Sequence, residues 1–237
     1  MELMENGALR VNPGKKEIVE SSSGNYFCYA IKTKLVTCED KLADVIETYA
    51  KPHLQAGDVL FISEKMVACT QGRALPLADI KPGFFARLLS RFVMKTPAGI
   101  GLGMPETMQC AIDECGLFRI LLASVAGAFA KLFRRRGWFY AVAGYRAACI
   151  DGPCDYTLPP YNEYVVLAPA EPDKTARDIA DMLDGVTVLI IDVNDLSGEI
   201  LGASEQIDRA EIIKLLRQNP LGQSTESTPM GILRREL

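Results

Sequence analysis

The chain has 237 residues, of which 49% are apolar, and it carries a formal net charge of −4. A chain of this length can bury about 70–75% of the surface that its unfolded form exposes, so one large domain or two smaller ones can form without disulfides. The acidic balance argues against nucleic acid as a main partner, because phosphate binding requires a basic face. The longest apolar stretch, residues 120–130, is shorter than the roughly 20 residues of a spanning helix. We therefore interpret it as a core element and expect no membrane partner.

The first 25 residues differ in composition from the rest of the chain. They are polar and Ser-rich and lack the apolar core of a signal peptide, so we expect a partly ordered N-terminal arm at residues 1–25. Residues 26–237 then form the main domain, with a possible subdivision near residue 145.

The seven cysteines form no Cys-x-x-Cys pair, and the chain has one histidine. The spacings of Cys110 with Cys115 and of Cys149 with Cys154 leave a four-thiolate metal site open, although structural zinc sites normally use tighter spacings. An odd number of cysteines without a secretory leader indicates reduced, mostly buried thiols and a cytoplasmic protein.

Apolar periodicity predicts several elements in the first half of the chain. Asp40 precedes the first helix and is placed to cap it. Glycines in residues 96–103 precede another helix, whose free N–H groups could bind an anion, although the spacing also fits a flexible turn. The predicted elements are a strand at 26–35, a one-faced helix at 40–49, a strand at 58–63, a helix from 81 to about 95 and a helix beginning near Pro105.

The second half continues with a less regular series of elements. Three arginines at 134–136 lie beside Trp138 and Tyr140, and we interpret them as a solvated turn, with phosphate contact as the alternative. Because strands and helices do not alternate strictly, we predict a mixed α/β (α+β) fold with one main mixed sheet and flanking helices. The predicted elements are a hairpin of strands at 138–143 and 145–150, a strand at 163–167, a helix at 174–183, a strand at 186–195 and a helix at 208–218.

The predicted strand at 186–195 is the most informative of these elements. It is rich in Val and Ile and ends in acids, and carboxylates at the exit of a buried strand are where α/β proteins tend to place ligands and metal ions. Asp192 and Asn194 project to the same side of an extended chain, since side chains alternate with period two. An acidic turn that caps a core strand is the alternative.

Five short motifs follow one another along the chain. They are Gly57-Asp58-Val59-Leu60 with Lys65 and Gln71-Gly72-Arg73, then Cys149-Ile150-Asp151, then Glu171 to Ala176, then Ile190 to Asn194, and finally Gly222-Gln223 through Pro229 to Arg234. In this order they resemble the gamma-glutamyl ligases that attach glutamate to the deazaflavin coenzyme F-420. The motifs are spread over about three quarters of the chain.

The resemblance implies a ligase-like domain in residues 26–237 that uses GTP. The carboxylate of a small acidic acceptor attacks the γ-phosphate, an acyl phosphate forms, and the amine of glutamate displaces the phosphate. The resemblance also implies a homodimer and a divalent ion, Mg²⁺ or Mn²⁺, held by Asp151 and Asp192. Mg²⁺ typically takes one or two carboxylates together with phosphate oxygens and water, and these two aspartates at separate strand ends could supply the carboxylates.

Five further residues in these motifs are candidates for the site. Lys65 and Arg73 are candidate catalytic residues that could bind phosphate or a substrate carboxylate, Arg73 by a two-pronged hydrogen bond. Asp173, Asn194 and Gln223 are candidates for binding the nucleotide, with Gln223 as a neutral oxygen ligand. Plainer interpretations stay open for two of them, because Asp173 could cap its helix and Lys65 could be a solvated strand residue.

The chain also departs from the pattern of the family. Residues 196–202 contain no arginine where the family has an Arg-rich segment, Ala147 stands in place of an Asn, and we identify no family motif in residues 84–136. Loss of arginines weakens the electrostatics of a phosphate site. Two alternatives to the ligase therefore stay open: a non-catalytic descendant that binds a nucleotide or anion for regulation, and a metal-dependent phosphoester hydrolase on the same scaffold.

Overall fold

The computed structural model describes residues 8–93, 101–133, 135, 137–155, 157–194, 198–222 and 225–236. The chain divides into two compact units. Unit 1 comprises Met1–Gln71 and Pro169–Leu237, and unit 2 comprises Gly72–Ala168. Each unit buries apolar side chains of its own in a separate core.

Strands and helices alternate irregularly along the chain. In chain order they are β1 (Leu9–Arg10), β2 (Ile18–Ser21), β3 (Gly24–Ile31), α1 (Leu42–Tyr49), β4 (Val59–Ser63), α2 (Glu64–Thr70), β5 (Ala74–Pro76), α3 (Phe84–Leu89), α4 (Pro105–Cys115), α5 (Leu117–Leu132), α6 (Trp138–Ala143), α7 (Tyr145–Ala148), β6 (Tyr164–Val166), α8 (Pro172–Ala180), β7 (Thr187–Val193), β8 (Gly198–Ala203), α9 (Arg209–Leu216) and β9 (Met230–Arg235). Unit 2 holds the elements from β5 to β6, and unit 1 holds the others.

Unit 1 is built on a seven-stranded mixed sheet. Its order is β1-β3-β9-β4-β7-β8, and β2 also pairs with β3. The central strands β4 and β7 are parallel, and the other pairs are antiparallel. Helices α1 and α8 pack on one face of the sheet and α9 packs on the other, which explains why β4 and β7 are nearly continuous apolar runs. The prediction of a mixed α/β fold with one main mixed sheet and flanking helices is confirmed.

The predicted hairpin at residues 138–150 is wrong, because these residues form the helices α6 and α7. The core of unit 2 takes up Phe139 and Ala143 of α6 and Ala147 of α7, and the spacing of four residues within α6 is that of one helix face. Alanines in the stretch also favour helix over strand. Short apolar runs fit both periods, and here the packing of unit 2 selects the helix.

Asp40 does not cap the first helix as predicted. α1 begins at Leu42, and Lys41 occupies its N-cap position without a side-chain hydrogen bond. The Asp40 carboxylate instead accepts a 2.8 Å hydrogen bond from the backbone N–H of Thr37 and forms a 2.5 Å ion pair with Lys34. Asp40 therefore closes the turn that precedes the helix.

The interpretation of residues 120–130 as a core element is wrong for one face of α5. Ile120, Ala123 and Ala130 are buried, whereas Leu122 and Phe129 are more than half exposed. Among the described residues, no single helix is long and apolar enough to cross a membrane. The pair α4 and α5 reaches that length and composition together, but it is bent by 117°.

Candidate metal and substrate site

Two carboxylates meet at the edge of the sheet where the parallel strands β4 and β7 end. Ser63 pairs with Ile191 in the register of these strands. The residue that follows each of them, Glu64 and Asp192, therefore lies at the same edge. A carboxylate oxygen of Glu64 lies within 4.8 Å of one of Asp192. Glu64 is buried and Asp192 is half-buried.

The start of α2 positions Glu64 and Lys65. The Ser63 hydroxyl accepts a hydrogen bond from the backbone N–H of Lys65 and caps the helix. Glu64 is the first helical residue, where the positive end of the helix dipole favours a carboxylate. Lys65 belongs to a helix and not to a strand, and its half-exposed Nζ lies 3.8 Å from Glu64 Oε1. Its ammonium group is therefore both accessible and close to the carboxylate pair.

The chemistry of the carboxylate pair suits a hard cation. At 4.8 Å two unit negative charges repel each other by about 3 kcal/mol for an effective dielectric constant of about 20. A divalent cation bound between them replaces this repulsion by two attractions. Carboxylate oxygens are the ligands that Mg²⁺ and related ions prefer. The two residues thus fit the kind of metal that the sequence implies.

The candidate nucleotide-binding residues Asp173 and Asn194 lie in the same unit. Asp173 does not cap its helix, because Glu171 holds the N-cap position of α8. Its carboxylate accepts a 3.0 Å hydrogen bond from the backbone N–H of Ala203 in β8, which fixes the start of α8 against the sheet. Asn194 directly follows β7 and is half-buried.

Gln71 joins two of the sequence motifs. Its side-chain amide accepts a 2.7 Å hydrogen bond from the backbone N–H of Ala170 and donates one of 3.1 Å to the carbonyl of the same residue. The amide nitrogen also lies 3.4 Å from Thr175 Oγ1. The end of α2 is thereby tied to the loop that leads into α8, so the two motifs form one structure.

Arg73 and Asp151 belong to unit 2. Arg73 donates a 2.6 Å hydrogen bond to the carbonyl of Ala168 and a 2.5 Å charged hydrogen bond to Glu114, so its guanidinium is held in a fixed position. The backbone of Asp151 exchanges two 2.9 Å hydrogen bonds with Val166, which places this aspartate at the end of the short sheet of β5 and β6.

Some predicted features lie outside the described residues. These are Gln223, most of the glycine-containing loop at 96–103, and two of the three clustered arginines, of which Arg135 alone is described. Sequence reasoning also missed one residue of the site. Glu64 directly follows an apolar strand, and Asp192 lies near the end of another. The position of an acid at the exit of an apolar strand is the signal that could have identified Glu64.

The chain was compared with known proteins. A family model described as F420-0:gamma-glutamyl ligase matches residues 30–203. The chain belongs to this family. The matched residues include four of the five motifs and both carboxylates of the pair, and membership supports a gamma-glutamyl ligase-type function in general. None of the curated proteins matches the chain.

Proposed function

We propose that the protein is a metal-dependent ligase that uses a GTP-like nucleotide to form an amide between glutamate and a small acidic acceptor. Family membership supports the ligase type. The observation that carries the metal dependence is the Glu64–Asp192 carboxylate pair, whose oxygens lie within 4.8 Å of each other at the end of two parallel strands.

The proposed reaction is the one that the family resemblance implies, and it has two steps. An oxygen of the acceptor carboxylate attacks the γ-phosphorus, the bond to the β-phosphate oxygen breaks, and the nucleoside diphosphate leaves. The amine of glutamate then attacks the acyl carbon of the acyl phosphate, inorganic phosphate leaves, and the nitrogen loses a proton. The acceptor gains one amide bond for each nucleotide that is consumed.

The described residues suggest a division of roles. Glu64 and Asp192 would hold Mg²⁺ or Mn²⁺, which neutralises phosphate charge when it is bound. The ammonium group of Lys65 lies 3.8 Å from the Glu64 carboxylate, and it is our candidate for binding a transferred phosphate. The ligand role of Asp151, the phosphate- or carboxylate-binding role of Arg73 and the nucleotide-binding roles of Asp173, Asn194 and Gln223 remain separate hypotheses.

Calorimetric titration with GTP and with ATP, each with and without Mn²⁺, tests this proposal. We expect metal-dependent binding of one nucleotide to the unchanged protein. Asp192→Asn and Glu64→Gln should each weaken that binding by about tenfold or more, because each removes a charged metal ligand. Glu47→Gln is the matched control: Glu47 is exposed near the end of α1, which leads into the start of β4 and not into its end at Ser63, so its loss should leave the affinity unchanged.

Turnover assays separate the ligase from its alternatives. Release of phosphate that requires both an acidic acceptor and glutamate supports the ligase, whereas release from nucleotide alone favours a phosphoester hydrolase. Tight nucleotide binding without turnover favours the regulatory descendant. Absence of binding by either nucleotide in the presence of Mn²⁺ would refute the proposal.

A further inference from the structure

One face of α5 is apolar and exposed although the opposite face packs into the core of unit 2. The exposed residues, which we name the α5 stripe, are Phe118, Leu122, Val125, Phe129 and Leu132, and each is between 57% and 85% exposed. At about 100° per residue these five positions fall within an arc of about 80° on the helix. The buried residues of the same helix lie on the other side, so α5 is apolar nearly all the way round.

A further exposed apolar side chain lies at the C-terminal end of the α5 stripe. Phe133 follows the helix directly and is two-thirds exposed. Contiguous exposed apolar patches of several hundred Å² mark interaction surfaces.

The segment of the sequence that contains the α5 stripe is basic. Residues 115–150 contain six basic residues and no acidic residue, whereas the remainder of the chain has a net charge of −10, since the whole chain is at −4. Three of the basic residues, at positions 134–136, directly follow Phe133, and Arg135 is exposed. The exposed Arg135 therefore puts positive charge just beyond the C-terminal end of the stripe, in a chain that is acidic elsewhere.

This combination identifies the kind of partner. An exposed apolar helix face with aromatic residues and flanking Lys and Arg is the composition of helices that lie in the interface of anionic membranes. A second copy of the chain fits less well, because a two-fold contact across this face would bring two sets of basic residues together.

We propose that the α5 stripe docks the protein on the surface of an anionic membrane. The helix lies in the plane of the interface, with its stripe among the acyl chains and Arg135, just beyond its C-terminal end, on the lipid phosphates. This inference differs from the sequence-based expectation of no membrane partner, because hydropathy identifies spanning segments and does not show which face of a short helix is left uncovered. It does not depend on the proposed ligase activity.

Flotation of the full-length protein with lipid vesicles tests the proposal. We expect binding to vesicles of phosphatidylcholine with about one third phosphatidylserine to exceed binding to pure phosphatidylcholine by at least tenfold, and to fall as salt is raised. The double variant Leu122→Ser/Phe129→Ser should lose most of the binding. Ile18→Ser is the matched control, because Ile18 is an exposed apolar residue of β2 in unit 1.

Additional measurements keep the test decisive if the double variant is unstable. Arg135→Glu leaves the apolar stripe unchanged and should weaken binding to the anionic vesicles several-fold, with an unaltered circular dichroism spectrum. Equal binding by the unchanged protein and by the folded double variant would overturn the proposal, as would equal binding to both vesicle types. Sedimentation velocity that shows a dimer for the unchanged protein and a monomer for the double variant would assign the stripe to a second copy instead.

Discussion

The ion pair between Arg234 and Asp58 offers a sharp test of how the sequence motifs support the fold. Arg234 in β9 donates hydrogen bonds of 2.8 and 2.6 Å to the two carboxylate oxygens of Asp58, and one of 2.7 Å to the carbonyl of His53. The Asp58 side chain is only 2% exposed and also accepts a 2.8 Å hydrogen bond from the backbone N–H of Gln55. These contacts raise the pKa of Arg234, chiefly through the hydrogen bond with Asp58.

Arg234→Met should destabilise unit 1 strongly. The substitution keeps an unbranched apolar stem but leaves the buried Asp58 carboxylate without its guanidinium, and breaking a buried pair from one side typically costs about 3–5 kcal/mol. Because Arg234 is 23% exposed, water can reach the site, and we expect a destabilisation at the lower end of this range, about 3 kcal/mol. That loss corresponds to a decrease of about 6–12 °C in the melting temperature of a protein of this size.

Arg235→Met is the control for this prediction. Arg235 is the next residue of β9 and is exposed, so its substitution changes the charge equally but should cost less than about 1 kcal/mol. Urea unfolding followed by far-ultraviolet circular dichroism is the suitable assay, since the one tryptophan of the chain, Trp138, lies in unit 2. In the double variant Arg234→Met/Asp58→Ala, the loss of unfolding free energy should be smaller than the sum of the losses in the two single variants. Equal stability of the two arginine variants would refute the reasoning.

Two glycines and two cysteines give further predictions. Gly202→Ala should destabilise unit 1 by several kcal/mol in urea unfolding, because the new Cβ would lie 2.3 Å from the carbonyl carbon of Pro172. Gly198→Ala in the same strand should be tolerated, because its Cβ would meet only side-chain methyl groups at 3.3 Å. Burial raises the pKa of the Cys28 thiol to about 12, so iodoacetamide at pH 8 should label the exposed Cys38 long before Cys28, as read by mass spectrometry. The pKa of Cys28 in the folded protein lies above its ordinary value of 9.0, so the stabilising contribution of the neutral thiol is complete below pH 9. As the pH rises from 9 towards 12, the free energy of unfolding should decrease by up to about 1.4 kcal/mol per pH unit. Urea unfolding at pH 8 and pH 10 should show a smaller decrease for Cys28→Ala than for the unchanged protein, and equal decreases would contradict this account.

The sequence alone was sufficient for the elements whose pattern is local. The run from Val188 to Ile191 in β7 is entirely apolar and rich in β-branched residues, which predicts a strand buried on both faces without knowledge of its neighbours. The helix that begins at Pro105 was predictable for another local reason, since proline favours the first turn of a helix. The family resemblance also rests on local motifs, and the match over residues 30–203 confirms it.

Only the tertiary structure decided which of these local elements meet. Glu64 joins Asp192 because β4 and β7 are parallel neighbours in register, and no local pattern states which strands pair. Packing likewise selected helices over the predicted hairpin at 138–150, because a short apolar run satisfies either period until its neighbours are known. The exposure of the α5 stripe has the same cause: hydrophobicity belongs to the residues, whereas burial depends on what the rest of the chain places against them.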